Sequence, residues 1–162
     1  MKSIIILILL SLITFSAFAQ DENVIYSFKT KNKKVVQLIL NEADSIFIFR
    51  LLSKGKTELE IRDNLTDADT VFTVYGYHRG GGVENAAMDY NDVTFSNNGY
   101  DYDIYYVWAI NEENPDDDHD PIYGLKIFKE GMKSVDLKGK EVISGSIFGL
   151  SFYDILPVSD KN

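Results

Sequence analysis

Cysteine is absent from the 162 residues, which excludes disulfides, a thiolate nucleophile, thiolate–zinc sites, iron–sulfur clusters and an amino-terminal lipid carried on cysteine. Histidine occurs only as His78 and His119, too few for a histidine-rich metal site, and a Ser-His-Asp arrangement would have to use one of the two. No Gly-x-Ser-x-Gly elbow is present, and Gly145-Ser146-Ile147-Phe148-Gly149 has the wrong spacing for one. Positive charge is scarce as well: 16 Lys and Arg face 25 Asp and Glu, a net charge of −9. That sign works against nucleic acid and anionic lipid surfaces, which need a basic footprint to displace counterions from phosphate. Lys29, Lys31, Lys33 and Lys34 make the one dense basic stretch, and they fall where a turn between two strands is expected.

What is present begins with an export signal. Met1 and Lys2 give a positive start, Ile4 to Phe15 is almost continuously Ile and Leu, and Ala17-Phe18-Ala19 places small residues where a signal peptidase reads them. The apolar run of about 15 residues is shorter than the roughly 20 of a spanning helix, and no basic stop-transfer cluster follows. The expected organisation is a signal peptide over 1–19 and a single all-β domain over 20–162, periplasmic or secreted, with no membrane span after cleavage. Cleavage removes Lys2 and no acid, which takes the net charge to −10. Export without cysteine suits a bacterial envelope, since eukaryotic extracellular modules lean on disulfides.

Beyond the leader, period-two alternation recurs and no stretch sustains helical spacing. In Lys56 to Arg62, Thr57, Leu59 and Ile61 take one face while Lys56, Glu58, Glu60 and Arg62 take the other, the pattern of a strand with one wet side. Val24–Lys29, Lys34–Leu40 and Ile46–Leu52 read as an opening meander; Thr70–Tyr77, Asp92–Ser96, Tyr100–Ile110 and Ile122–Phe128 follow. Shorter strands are predicted near Ser134–Leu137, Glu141–Ile143 and Ile147–Tyr153. Asn98-Gly99 is the best two-residue hairpin turn, because both positions need positive φ; Lys54-Gly55 and Lys138-Gly139 are lesser copies. About ten short antiparallel strands point to an all-β sandwich or small soluble barrel. In Tyr100–Ile110 the even positions, Tyr102, Ile104, Tyr106 and Trp108 among them, are expected to face the core.

Two interruptions are candidate functional loops. His78 to Asn91 carries Gly80, Gly81 and Gly82, with Arg79, Glu84, Asn85 and Asp89 as polar side chains around a backbone free to approach a ligand. The structural alternative is a bulge or wide turn pinned by Arg79 on Asp89 or Glu84. Gly80 to Gly82 is followed by no Gly-Lys-Ser/Thr, and Asn85 stands where a dinucleotide turn needs its third glycine, so neither phosphate motif applies. The second loop, Asn111 to Pro121, spaces Asp116, Asp118 and Asp120 two apart as in acidic calcium loops. It lacks the sixth-position glycine, and Ile127 stands where the bidentate Glu belongs, so an EF-hand is excluded and a solvated hairpin tip is the plainer reading. No cofactor is expected. Paired-carboxylate hydrolysis is left open by so many acids. Ten tyrosines offer either ordinary strand packing or platforms for sugar, with Tyr75, Tyr77, Tyr90, Tyr105 and Tyr123 of unassigned side.

Phe49-Arg50, Glu58-Leu59-Glu60, Arg79-Gly80-Gly81-Gly82 with Asn85 and Asp89, Phe95 with Asn97-Asn98-Gly99-Tyr100, and Gly124-Leu125-Lys126-Ile127 together give the chain a recognisable look. It resembles a family of small secreted or periplasmic β-proteins of Gram-negative bacteria. The resemblance implies an exported β-protein with a recurring glycine loop and brings no activity with it. The reading that follows is a non-enzymatic binding protein that recognises a protein partner, basic by charge complementarity, through the 78–91 loop, as an inhibitor, immunity protein or adaptor would. The alternative is a carbohydrate-binding module with exposed aromatics and a calcium loop.

Overall fold

The computed structural model describes residues 23–66, 70–81, 87–110, 120–147 and 156–158. Nine strands form within them: β1 (Asn23–Thr30), β2 (Lys34–Asn41), β3 (Ile46–Ser53), β4 (Lys56–Asn64), β5 (Thr73–Arg79), β6 (Met88–Asn97), β7 (Tyr100–Ala109), β8 (Ile122–Phe128) and β9 (Val135–Gly145). All pair antiparallel in one strongly curled half-barrel sheet of order β4-β3-β2-β1-β9-β8-β7-β6-β5, with no helix among the described residues. The fold is all-β, as the alternation predicts, and one curled sheet takes the place of a sandwich's two. Residues 1–22, which hold the expected leader, lie outside the described residues.

Turn chemistry fixes the register. Lys54-Gly55 and Asn98-Gly99 both adopt positive φ at both residues, the two-residue turn whose twist matches the flanking strands. Between β1 and β2, Thr30 Oγ1 accepts from Lys34 N at 3.0 Å and Lys33 takes a φ of 64°. Lys138-Gly139 makes no turn. It lies inside β9, which runs unbroken through the two short strands expected at Ser134–Leu137 and Glu141–Ile143. The first part of β9 pairs with β8 and the later part with β1, so this one strand joins the two halves of the sheet. Register slips at this junction: Ile25, Lys140 and Ile143 are each skipped in the pairing, and Gly145, at φ 71°, faces the bulged Ile25. Each bulge bends its strand and increases the local twist. Three of them in adjacent strands account for the curl.

The curl brings inner faces from both halves together. Phe49 of β3 meets Phe95 of β6 at 4.8 Å between ring centroids, Phe72 bridges Phe47 and Phe95 at 4.9 Å each, and Phe95 stacks on Tyr102. Val36, Leu38, Val93, Ile104 and Leu125 complete the same cluster. The open edge of β5 is covered in part by the chain's last described segment, where Val74 N donates to the Pro157 carbonyl at 3.0 Å and Leu156 is buried in the core. At the other edge, β4 presents Lys56, Glu58, Glu60 and Arg62, a charged strand that resists pairing with another chain.

Candidate functional site

The concave face changes chemistry along its length. On β7 the inward residues run Tyr102, Ile104, Tyr106 and Trp108; on β6 they run Phe95, Val93, Asn91 and Asp89; on β5, Val74, Gly76 and His78. The first members of each row are core, and the last are polar or amphipathic. Asn91 stands directly opposite Tyr106 and Gly76, and Asp89 opposite Trp108 and His78, whose Nδ1 donates to the Asp89 carboxylate. Tyr123 of β8 pairs with Tyr106, their rings near parallel with centroids 6.3 Å apart, and packs edge-on against Phe28 at 5.5 Å. Tyr26 of β1 lies beneath this pair.

Tyr26 is only 1% exposed, and its hydroxyl finds no hydrogen-bond partner among the described residues. Burial, with the neighbouring Tyr123 and Tyr106 hydroxyls, pushes its ionisation well above the usual phenol range. Tyr106 is raised by burial and by the Asp89 charge, and Tyr123 by burial and by Glu141 and Asp120. The rim is therefore aromatic, acidic and fringed by strand ends.

The described ends of the two loops singled out in the sequence stand at that rim. The strand pairs β5–β6 and β7–β8 share an end, and Ile110 N donates to the Ala87 carbonyl at 3.0 Å, tying the base of one connection to the base of the other. The glycine loop is shorter than predicted, because β5 continues to Arg79 and β6 starts at Met88; only 80–87 connects them. Arg79 pairs in register with Met88, so alternation places it on the convex side and Asp89 on the concave side. Gly80 and Gly81 have no positive φ, and among the described residues a Cβ on Gly80 would meet nothing within 4 Å, so neither position requires glycine by its own backbone geometry. Gly82, Glu84 and Asn85 lie outside the described residues, as do Asp116, Asp118 and His119. Asp120 is described and stands just before β8; no group of three His, Asp or Glu able to hold a metal occurs among the described residues.

The tyrosines of unassigned side now divide. Tyr75, Tyr77, Tyr90 and Tyr105 lie on the convex face, where Tyr90 donates to Asp92 at 2.7 Å and Tyr105 to Asp136 at 3.0 Å, with the Lys126 ammonium over the Tyr105 ring. Tyr77 and Phe128 are the exposed aromatics among the described residues, and they sit at opposite ends of their half of the sheet. That is no continuous strip for stacking a sugar chain. Sequence reasoning missed two features. One is the Tyr26–Tyr106–Tyr123 cluster, assembled from three strands. The other is a groove of about 420 Å³ beside Val71, Thr73, Thr94, Ser96 and Phe128, which exists because β5 begins at Thr73 and leaves the last residues of β6 without a partner on that side. Comparison with known proteins gives no match to a family model, a curated protein or a solved structure.

Proposed function

We propose that this chain is an exported, non-enzymatic binding protein that recognises a basic protein partner at the concave rim, using the connections 80–87 and 110–121. The observation that carries the reading is that the ends of both connections stand on one rim, tied by the Ile110–Ala87 hydrogen bond, beside Asp89, Tyr106 and Trp108. Loops set on a rigid sheet are where recognition residues concentrate, and aromatic side chains supply large contact area at low entropic cost. The chain's net charge of −9 steers a basic partner toward the rim and speeds encounter. The leader-like start at 1–19 supports an encounter in the periplasm or outside the cell.

The test is affinity capture from envelope and secreted fractions, with the protein expressed behind its own leader and tagged at its carboxyl end. A control bait carries Asn85→Ala, Asp89→Ala and Trp108→Ala together and is checked for an unchanged circular dichroism spectrum. The expected result is a stoichiometric basic protein that is retained by the parent, lost with the triple variant and weakened by salt. Full retention by the folded triple variant would remove the rim from the interface. No partner at micromolar bait would remove the reading itself.

A further inference from the structure

We infer that the groove at the end of β6 takes an extended peptide segment carrying one lysine or arginine: that residue pairs its backbone with Ser96 and sends its cationic head to Asp101. The groove lies at the other end of β5, β6, β7 and β8 from the rim, so the site stands independently of the rim reading. Three observations carry it.

The first is a break in the ladder. Pairing of β5 with β6 begins at Thr73 opposite Thr94, so Ser96 has no strand beside it on that side. The two-residue Asn98-Gly99 turn makes Asn97 and Tyr100 a hydrogen-bonded pair, and alternation then turns the N–H and C=O of Ser96 away from β7. Val74 sets the same phase, because its N–H points outward to the Pro157 carbonyl while Thr73 faces β6. Val71 would stand opposite Ser96 if β5 ran on. Its N–H goes instead to Asp63 Oδ2, to which Thr70 Oγ1 also donates at 2.8 Å, so the chain is drawn off toward β4. No backbone group among the described residues bonds Ser96 on this side. An open strand edge accepts an added segment through main-chain hydrogen bonds.

The second is space. The groove holds about 420 Å³ between the exposed side chains of Val71 and Phe128, the size of a ligand or short peptide site. Phe72 already fills the inner side beside Phe95, their ring centroids 4.9 Å apart, so the residue that follows the basic one has to be small. The third is charge. Asp101 stands opposite Ser96 on the convex face, accepts from Ser96 Oγ and makes no ion pair among the described residues. Lys126 and Lys129 lie over the Tyr105 and Tyr100 rings instead. Serine is short, so a lysine or arginine on the added segment can lie across it with its stem beside Val71 and its head on the carboxylate. An acidic residue in that place would be repelled by Asp101.

The purified protein, labelled with nitrogen-15, is titrated with the peptide acetyl-Val-Lys-Gly-amide and followed by amide NMR shifts; valine favours the extended backbone. The expected result is a saturable, millimolar response centred on the amides of Ser96, Thr73 and Asp101. Methylating the lysine backbone nitrogen removes the donor to the Ser96 carbonyl and is expected to weaken the peptide about tenfold. Norleucine in place of lysine keeps the stem, removes the charge and is expected to weaken binding about two- to fivefold. Asp101→Asn is expected to bring the lysine peptide down to the norleucine one and to leave the norleucine peptide unchanged. Equal binding of the methylated peptide, shifts centred away from Ser96, or no saturable shift up to about 50 mM would overturn the site. A lysine peptide that binds no better than the norleucine one would overturn the part given to Asp101. The two sites fail separately, since loss of partner capture at the rim leaves the Ser96 shifts in place and their absence leaves the rim untouched.

Discussion

Gly139 and Gly80 make opposite demands on their surroundings. Gly139 lies on the inner face of β9 beneath the Tyr123 ring, and a Cβ there would run into that ring and stand 2.9 Å from the Tyr123 carbonyl. Gly124 has the same relation to Tyr105 on the convex face, its Cβ position 2.7 Å from the phenol oxygen. In both, an aromatic ring on one strand covers a glycine on the next, which protects the backbone and pins the register. Gly80 has no positive φ, and no described residue lies within 4 Å of its Cβ position. Gly139→Ala is therefore expected to lower stability by about 1–3 kcal/mol through overpacking, whereas Gly80→Ala is expected to stay within about 0.5 kcal/mol. Urea denaturation of both variants decides it, and equal costs would show that the Tyr123–Gly139 contact relaxes freely. The sequence reads Gly80 to Gly82 as a loop's backbone freedom and Lys138-Gly139 as a hairpin turn, and neither reading finds the contact that decides Gly139. The ring that makes Gly139 necessary belongs to another strand, where no local pattern reveals it.

At the scale of strands, β4 shows what alternation reads well and β9 what it reads poorly. From Leu59 to Arg62 the predicted pattern is realised: Leu59 and Ile61 pack on the core, and Glu60 sits between Arg50 of β3, at 2.6 Å, and Arg62, also at 2.6 Å; before it, Glu58 is skipped in the pairing with β3, so Thr57, expected beside Leu59 and Ile61, stands opposite Leu52 and is exposed. In β9 the skipped residues Lys140 and Ile143 break the alternation, so one long strand reads as two short ones. Bulges set the curl and hide themselves from period-two analysis for the same reason. The arginines carry a pH consequence for the β3–β4 edge. Partial burial, the largest single influence on Glu60, raises its carboxyl, but hydrogen bonds and charge from Arg62 and Arg50 together outweigh it and leave it below its ordinary value. A carboxylate lowered in the folded state contributes stability that is present above its unfolded value, about 4.3, and is lost as pH falls through the folded value. Glu60→Gln is expected to cost less than about 1 kcal/mol at neutral pH, as partly exposed pairs do, and to shallow the loss of stability below about pH 4. Thermal melts from pH 7 down to 3 measure both, and parallel acid limbs for parent and variant would sink the assignment.

Across the whole molecule, tyrosine hydroxyls collect in sites where ionisation is suppressed, and this too is beyond sequence patterning. Tyr106 and Tyr123 meet as a cross-strand pair of β7 and β8, and the curl brings Tyr26 of β1 to them; the tyrosines were visible in the chain, but their meeting was not. Tyr90 and Tyr105 are anchored to Asp92 and Asp136 on the convex face, and Tyr102 lies in the core. Burial is the largest cause in all six, and neighbouring carboxylates add to it in Tyr90, Tyr105, Tyr106 and Tyr123. Each phenol thus stays protonated in the fold at a pH where the unfolded chain, with phenols near 10, has lost its protons. Above that value the folded state binds more protons than the unfolded one, so stability falls as pH rises, while below it this contribution is fully present. The expected behaviour is cooperative alkaline unfolding above about pH 10, with these six phenolates appearing in the same step that abolishes the far-ultraviolet circular dichroism. In denaturant the same absorbance change should spread smoothly about the ordinary phenol value. If all the tyrosines titrate smoothly in the folded protein while the dichroism persists, the rings are wetter than their packing implies. The Tyr26 hydroxyl would then be answered by solvent instead of lying sealed beneath the Tyr106–Tyr123 pair.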